Sequence, residues 1–404
     1  MRFKDFAKAG HAPTLFSAFL YFDMSFMVWV VLGPLGVHIA RELGLSASQK
    51  GFMVALPVLA GALFRPVMGV LVDRIGAKMA GGIGQVIVMS ALAWAYLVGL
   101  HTLGQVYFLG LCLGVAGASF AAALPLASRW YPPEAQGLAL GIAGAGNSGT
   151  VFAALLAPHL ANKVGWNGVL GMALIPLAIT FVIYMIMAKD APGRAAAMSF
   201  SNYFKVLKEK DAWWFMLFYL VTFGGFVGLA SSLVIYFNTQ FGLAPVTAGY
   251  LTAGCVFVGS LFRPIGGSVA DRIGGVRALQ GLYGVVVLAM LGIATINGSI
   301  YMALALFCIG MMAMGMGNGA VFQLLPQRFS KEIGTLTGLV GMAGGLGGFY
   351  LASSLGLSKQ WTGDYRLGFI CYALLGAMAF FVLFRVKVRW RATWGSPSIA
   401  RARV

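Results

Sequence analysis

Twelve stretches of roughly twenty predominantly apolar residues run through the chain, at about 14–37, 49–71, 78–99, 104–127, 137–160, 166–188, 213–238, 247–270, 277–297, 300–325, 334–357 and 366–385. Each is long enough to cross a hydrocarbon core about 30 Å thick as one α-helix. In lipid the backbone must satisfy its own hydrogen bonds, so only helices or closed barrels can span it. A barrel strand would read as ~10 residues of alternating polarity rather than as a continuous apolar run. With 60% of its 404 residues hydrophobic and 10% charged, the chain has too little polar surface to coat a soluble globule. An all-α, multi-pass membrane protein is expected. The first apolar stretch continues through Trp29 to Val37, too long for the core of a cleavable signal, and reads as the first span.

The net charge of +17 invites a nucleic-acid reading, but its placement argues for a membrane instead. With the N-terminus cytoplasmic, 21 of the 28 Lys/Arg fall in the tails and inner loops, and five (Arg41, Lys50, Lys163, Lys359 and Arg366) fall in outer loops. That bias obeys the positive-inside rule with both termini cytoplasmic in a cell membrane, so the bilayer is the expected partner and nucleic acid is not. The cysteines Cys112, Cys255, Cys308 and Cys371 lie in apolar spans without paired spacing. Neither a disulfide nor a metal site is expected from them.

Self-similarity divides the chain. "GALFRPVMGVLVDRIG" from Gly61 returns as "GSLFRPIGGSVADRIG" from Gly259, which pairs Arg65, Pro66, Gly69, Asp73, Arg74 and Gly76 with Arg263, Pro264, Gly267, Asp271, Arg272 and Gly274 at an offset of 198. At an offset of 197, "GLALGIAGAGNSG" from Gly137 echoes "GTLTGLVGMAGGLGG" from Gly334. Two halves of six spans each enter the membrane from the same side, so a pseudo-two-fold axis along the membrane normal relates them, as in transporters that rock about a central site. The expected units are an N-terminal six-helix bundle over 1–190, a basic cytoplasmic linker over 191–211 and a C-terminal bundle over 212–404. The linker's Lys/Arg and interleaved aromatics suit a helix lying on the membrane surface, and a flexible basic loop is the alternative.

Among acids and bases, Asp23, Arg65 and Arg263 lie inside spans. A central Arg or Asp costs about 2.5–3.5 kcal/mol on insertion scales, so each should face a cavity or a partner. Arg65 precedes Asp73, and Arg263 precedes Asp271, by eight residues, or ~12 Å of helix, which sets both guanidinium groups near mid-membrane. Pseudo-symmetry then brings two fork-shaped, permanently charged donors to one depth on either side of a shared cavity, an arrangement suited to a small oxyanion. The alternative, that both arginines snorkel to the inner interface, requires them to reach far from the midplane. Asn147 sits in the densest part of the first glycine phrase. Its amide could donate to an oxyanion beside bare backbone, while the glycines alone also permit close helix crossing.

The "G-x-x-x-D-R-x-G" pieces after both arginines resemble the loop motif of the major facilitator superfamily, and "FRP…DRIG" together with "GIAGAGNSG" and "GMAGGLGGF" is similar to the nitrate/nitrite porter family within it. The resemblance covers nearly the whole chain. It implies a substrate site in which Arg65 and Arg263 clamp the anion, Asn147 hydrogen-bonds it, and Tyr219, Phe223 and Phe120 line the pocket, with Gly144 and Gly344 as candidate backbone contacts. Tyr219 and Phe223 share a helix face by their i, i+4 spacing. Ala143 departs from the family pattern, which has glycine four residues before the asparagine. Gly69, Asp73, Arg74, Asp271 and Arg272 would hold the inner gate, or serve simply as helix caps and interface anchors.

Nitrate, and nitrite beside it, is the expected substrate, carried by a monomer through alternating access. Burying two unneutralised cations in an empty carrier is costly, which favours nitrate/nitrite antiport. Asp23, in "FLYFDMSFMVW", offers a proton instead. That phrase resembles the proton-symporting branch of the family more than the exchangers, so symport is the favoured expectation. An enzyme is not expected, because no P-loop, metal cluster or catalytic triad spacing occurs and "GAGNSG" lies mid-span. No cofactor is implied. An organophosphate or dicarboxylate exchanger would need a more polar lining, and a nitrate sensor would be expected to carry an added signalling domain.

Overall fold

A computed structural model describes residues 9–192, 205–295, 298–329 and 333–393, and the described residues contain helices and turns but no strand. The spans are α1 (Ala12–Leu43, with a turn at 30–31), α2 (Ala47–Ile75), α3 (Ala77–Val98), α4 (Leu103–Ser128), α5 (133–164), α6 (166–187), α7 (Lys210–Phe241), α8 (Pro245–Ile273), α9 (Gly275–Thr295), α10 (Ile300–Arg328), α11 (Ile333–Thr362) and α12 (Arg366–Thr393). Among the described residues, eleven helical runs could cross a membrane by length and apolarity alone, one of them Ala139–Met187. That run contains Gly165 at φ 73° and ψ 161°, outside helical space. Glycine adopts such a conformation at little cost, and it divides the run into α5 and α6, giving twelve spans.

Local sequence accounts for where helices start and stop. Ser46 with Gln49 and Thr102 with Gln105 form reciprocal capping boxes that open α2 and α4, and Gly44, at φ 62°, closes α1. Most helices outrun their apolar stretches; the one expected over 213–238 covers Lys210–Phe241, since helical hydrogen bonding continues into the headgroup layer where polar side chains are solvated. The repeated motif makes two single-residue turns. Gly76 (φ 93°) and Gly274 (φ 94°) end α2 and α8 and lead directly into α3 and α9. The linker's expected surface helix falls largely on 193–204, outside the described residues.

The two six-helix bundles meet along α1, α2, α5, α7, α8 and α11, and glycines set how closely. A Cβ on Gly33 of α1 would strike the Ser231 backbone of α7, one on Gly51 of α2 would lie 2.6 Å from the Gly356 Cα of α11, and one on Gly249 of α8 would strike the Ala154 carbonyl of α5. All three contacts lie in the halves of their helices remote from the chain termini. The bundles are therefore closed on that remote side, and the central site lies between this closure and the terminal side.

Candidate functional site

Arg65 is 0% exposed, at the centre of the molecule. A break in α4 holds it there. At Ala118–Ser119 the helix tightens, so that the Ala121 N–H bonds to the Ala118 carbonyl instead of that of Gly117. The freed Gly117 carbonyl accepts from Arg65 Nε at 3.2 Å. Arg65 Nη1 donates to the Gly341 carbonyl on α11, in the opposite bundle. Three rings enclose the guanidinium, Trp29, Phe120 and Phe223, with centroids 5.5, 5.3 and 5.0 Å from its central carbon. Trp29 is seated by glycine, since side chains at Gly61 or Gly117 would collide with its indole, and its Nε1 donates to the Pro57 carbonyl at 2.7 Å. Cation–π attraction to such faces is strongest where water is excluded.

Arg263 of α8 is 9% exposed. Its Nη2 donates to the Tyr219 hydroxyl at 3.4 Å, and a Cβ on Gly144 of α5 would rest 3.8 Å from its guanidinium. Gly144 and Gly341 are partners in the internal repeat. Each arginine thus reaches across the bundle interface to the glycine phrase of the other half, a reciprocity that follows from the pseudo-two-fold axis. Neither arginine makes an ion pair with any described residue, and Arg65 Nη2 and Arg263 Nη1 have no hydrogen-bond partner.

The aromatic residues form one wall. Tyr219 stacks on Phe223 at 5.0 Å with an 8° interplanar angle, and the edge of Phe322 meets Tyr219 at 5.1 Å and Phe120 at 5.9 Å. Gly344 lies behind the stacked pair, where a Cβ would come within 2.7 Å of the Tyr219 ring and 2.9 Å of Phe223. Its place is to seat the rings.

Asn147 is fully buried with both amide atoms unpartnered. A continuous α5 is the sequence expectation. In the structure Ala145–Ser148 forms a 3-10 turn between Pro133–Gly144 and the helix starting at Gly149. The turn presses against α1, where a Cβ on Gly146 would strike the Phe22 ring and one on Gly149 the Asp23 carbonyl. Gly141, in contrast, has nothing within 4 Å and makes no close crossing. Asp23 is 3% exposed at this α1–α5 contact, and its carboxylate accepts from Ser148 Oγ at 2.7 Å, one residue along from Asn147.

On the terminal side, Asp73 pairs with Arg129 at 3.0 Å, joining α2 to α4 inside the first bundle. Gly69 lies half-buried one turn earlier, while Arg74, Asp271 and Arg272 are exposed. No ion pair to these residues crosses between bundles among the described residues.

Residues 14–352 match the Major Facilitator Superfamily. The chain is 34% identical over 363 residues to the "Nitrite extrusion protein" of Bacillus subtilis (strain 168), covering 89% of this chain and 90% of that one. It is 32% identical to the "Probable nitrate/nitrite antiporter NarK1" of Thermus thermophilus, over 89% of this chain and 88% of the relative. This chain belongs to the nitrate/nitrite porter family of the Major Facilitator Superfamily. Its fold is shared with a bacterial homolog of the human lysosomal transporter Spinster in an inward-facing, unoccupied conformation, with TM-score 0.74 at 16% identity over 96% of this chain and 99% of that one.

Among the porter-family expectations, Arg65, Arg263, Tyr219, Phe223, Phe120 and Gly144 converge on one locus, which the 3-10 turn bearing Asn147 adjoins. The expectations omitted Trp29, Phe322 and Asn318. Trp29 and Phe322 look like ordinary span aromatics in sequence. Asn318 is an amide in an apolar span, and the offset of 198 that pairs the arginines also pairs it with Phe120.

Proposed function

We propose that this porter carries nitrate, and nitrite as a second substrate, across the cell membrane by alternating access, taking up nitrate together with a proton, with both termini cytoplasmic and a single chain as the working unit. The observation that carries the reading is the pair of buried guanidinium groups, one from each bundle, with no anionic side chain for either among the described residues. Two such cations call for an anion from outside the chain. The cargo must accept hydrogen bonds, because Arg65 Nη2 in one half and Arg263 Nη1 in the other carry open N–H donors. The names of the relatives, a nitrite extrusion protein and a nitrate/nitrite antiporter, agree with that chemistry.

The clamp also supplies the coupling between binding and movement. Arg65 binds the Gly341 carbonyl, and Arg263 lies against Gly144. An arriving anion competes for both guanidinium groups and bridges 1–190 to 212–404 through itself, so the bundles rock about it. Asp23 supports proton coupling: a buried carboxylate beside the Asn147 turn can change the charge of the empty carrier when it binds a proton. A second reading, nitrate/nitrite exchange, is favoured by the same unpaired cations, which make the empty carrier costly to turn over.

Reconstituted liposomes separate the two. Symport predicts nitrate accumulation under an inward proton gradient with no internal anion. Uptake that occurs only with nitrite inside would establish exchange, and absence of uptake under both conditions would refute nitrate transport.

A further inference from the structure

Asn318 of α10 is 0% exposed, and neither its Oδ1 nor its Nδ2 has a partner. A buried amide left open at both ends is costly, and an apolar residue of the same shape would avoid the cost. Its direction follows from its neighbours. A Cβ on Gly317 would meet the Thr222 side chain of α7, and one on Gly319 would meet the Arg263 carbonyl of α8. Successive helix residues turn by about 100°, so Asn318 points into the wedge between α7 and α8, from which Tyr219 and Arg263 extend. Phe322, one turn along on the same face, packs on Tyr219 and Phe120. One turn before Arg263, Ser260 is 5% exposed and its buried hydroxyl is likewise unpartnered. The flank of the clamp remote from the termini is therefore polar and unsatisfied.

We propose that Asn318 is a substrate-positioning residue that lets the site distinguish a planar three-oxygen anion from a two-oxygen one. The proposal rests on the nitrate reading above and deepens it. Arg65 Nε donates to the Gly117 carbonyl and Arg263 Nη2 to the Tyr219 hydroxyl, while Arg65 Nη1 donates to Gly341 until the anion draws it away. Arg65 Nη2 in one half and Arg263 Nη1 in the other are open and can each meet one oxygen, with the Asn147 amide open beside them. The Asn318 amide, on α10, supplies donors for a third. Nitrite has no third oxygen and leaves that amide unpaired, and sites built to hydrogen-bond a group discriminate against the analogue that lacks it.

The test is displacement of labelled nitrate from the purified, reconstituted carrier by unlabelled nitrate and by unlabelled nitrite. Asn318→Ala is expected to weaken nitrate by about 10- to 100-fold and nitrite by less than about threefold, compressing the selectivity ratio. Parallel weakening of both anions, or no change in either, overturns the proposal. Asn318→Asp keeps the size of the side chain, so it tests the same point if the alanine variant does not fold. It removes the amide donors and adds a negative charge, so nitrate displacement should be lost, and wild-type affinity in this variant overturns the proposal. Arg65→Lys is the separating arm. If it binds both anions like the wild type, the clamp itself is wrong; if it loses both while Asn318→Ala keeps the wild-type ratio, only the role of Asn318 fails.

Discussion

Replacing Arg65 by lysine keeps the charge and removes the fork, and the structure gives the size of the effect. Arg65 donates to two carbonyls, Gly117 and Gly341, from separate nitrogens and still has Nη2 open. A lysine ammonium is one point on a shorter reach and cannot serve both carbonyls and an anion together. Hydrogen bonds to a charged group contribute about 1.5–3 kcal/mol each, and a buried carbonyl left unpaired costs about 1–3 kcal/mol. Losing one bond to the protein and the second contact to the anion should cost roughly 3–5 kcal/mol, with the cation–π attraction to Trp29, Phe120 and Phe223 only partly retained. At 1.36 kcal/mol per factor of ten, kcat/KM for nitrate should fall by at least about 100-fold. Initial rates of uptake into proteoliposomes, at matched amounts of folded carrier, measure it. A variant within about threefold of wild type would refute the argument that fork geometry, rather than charge alone, holds the anion.

Other consequences follow from particular contacts. Asp23→Asn, which keeps the Ser148 hydrogen bond possible but cannot exchange a proton, should abolish pH-gradient-driven nitrate accumulation while sparing nitrate/nitrite exchange; intact proton-driven uptake would remove Asp23 from the coupling. Leucine at Gly51, where even a Cβ would lie 2.6 Å from Gly356, should force α2 from α11 and lengthen spin-label distances across the remote side, and unchanged distances would contradict the glycine closure. Asp211 is buried at the terminal end of the second bundle and binds Arg328 at 2.8 Å, Arg389 at 3.1 Å and the Trp390 indole at 2.9 Å. Asp211→Asn leaves Arg328, which keeps Glu209, and the part-exposed Arg389 facing a neutral group, and should destabilise the protein by about 1–2 kcal/mol, lowering the thermal unfolding midpoint in detergent. An unchanged midpoint would show that the network is dispensable.

Much of this architecture is readable from residue order because lipid imposes severe rules. A run of twenty apolar residues has few other fates, and an arginine within one, repeated 198 positions later, demands a partner. What that partner is depends on which helices approach closely. Arg65 binds the Gly341 carbonyl, and Gly117 is available because α4 tightens at Ala118–Ser119, a local choice that alanine, serine and glycine do not dictate. The turn at Ala145–Ser148 arises where Gly146 and Gly149 let α5 touch α1, a tertiary contact overriding a helical stretch. Gly344, expected near the anion, lies against Tyr219 and Phe223, since a glycine phrase records that something comes close without saying which face it meets. Asn318 is hard to read from sequence because a neutral amide stands out less against apolar neighbours than a charge does, and only the fold shows it buried without a partner.

The most direct measurement is a structure of the protein equilibrated with nitrate. Planar density between the two bundles, with Arg65 and Arg263 both within hydrogen-bonding distance of it and Arg65 Nη1 turned from the Gly341 carbonyl toward the ion, is the predicted result. Density elsewhere, with both guanidinium groups still held by Gly117, Gly341 and Tyr219 at saturating nitrate, would contradict the claim that paired arginines from opposite halves grip one small anion.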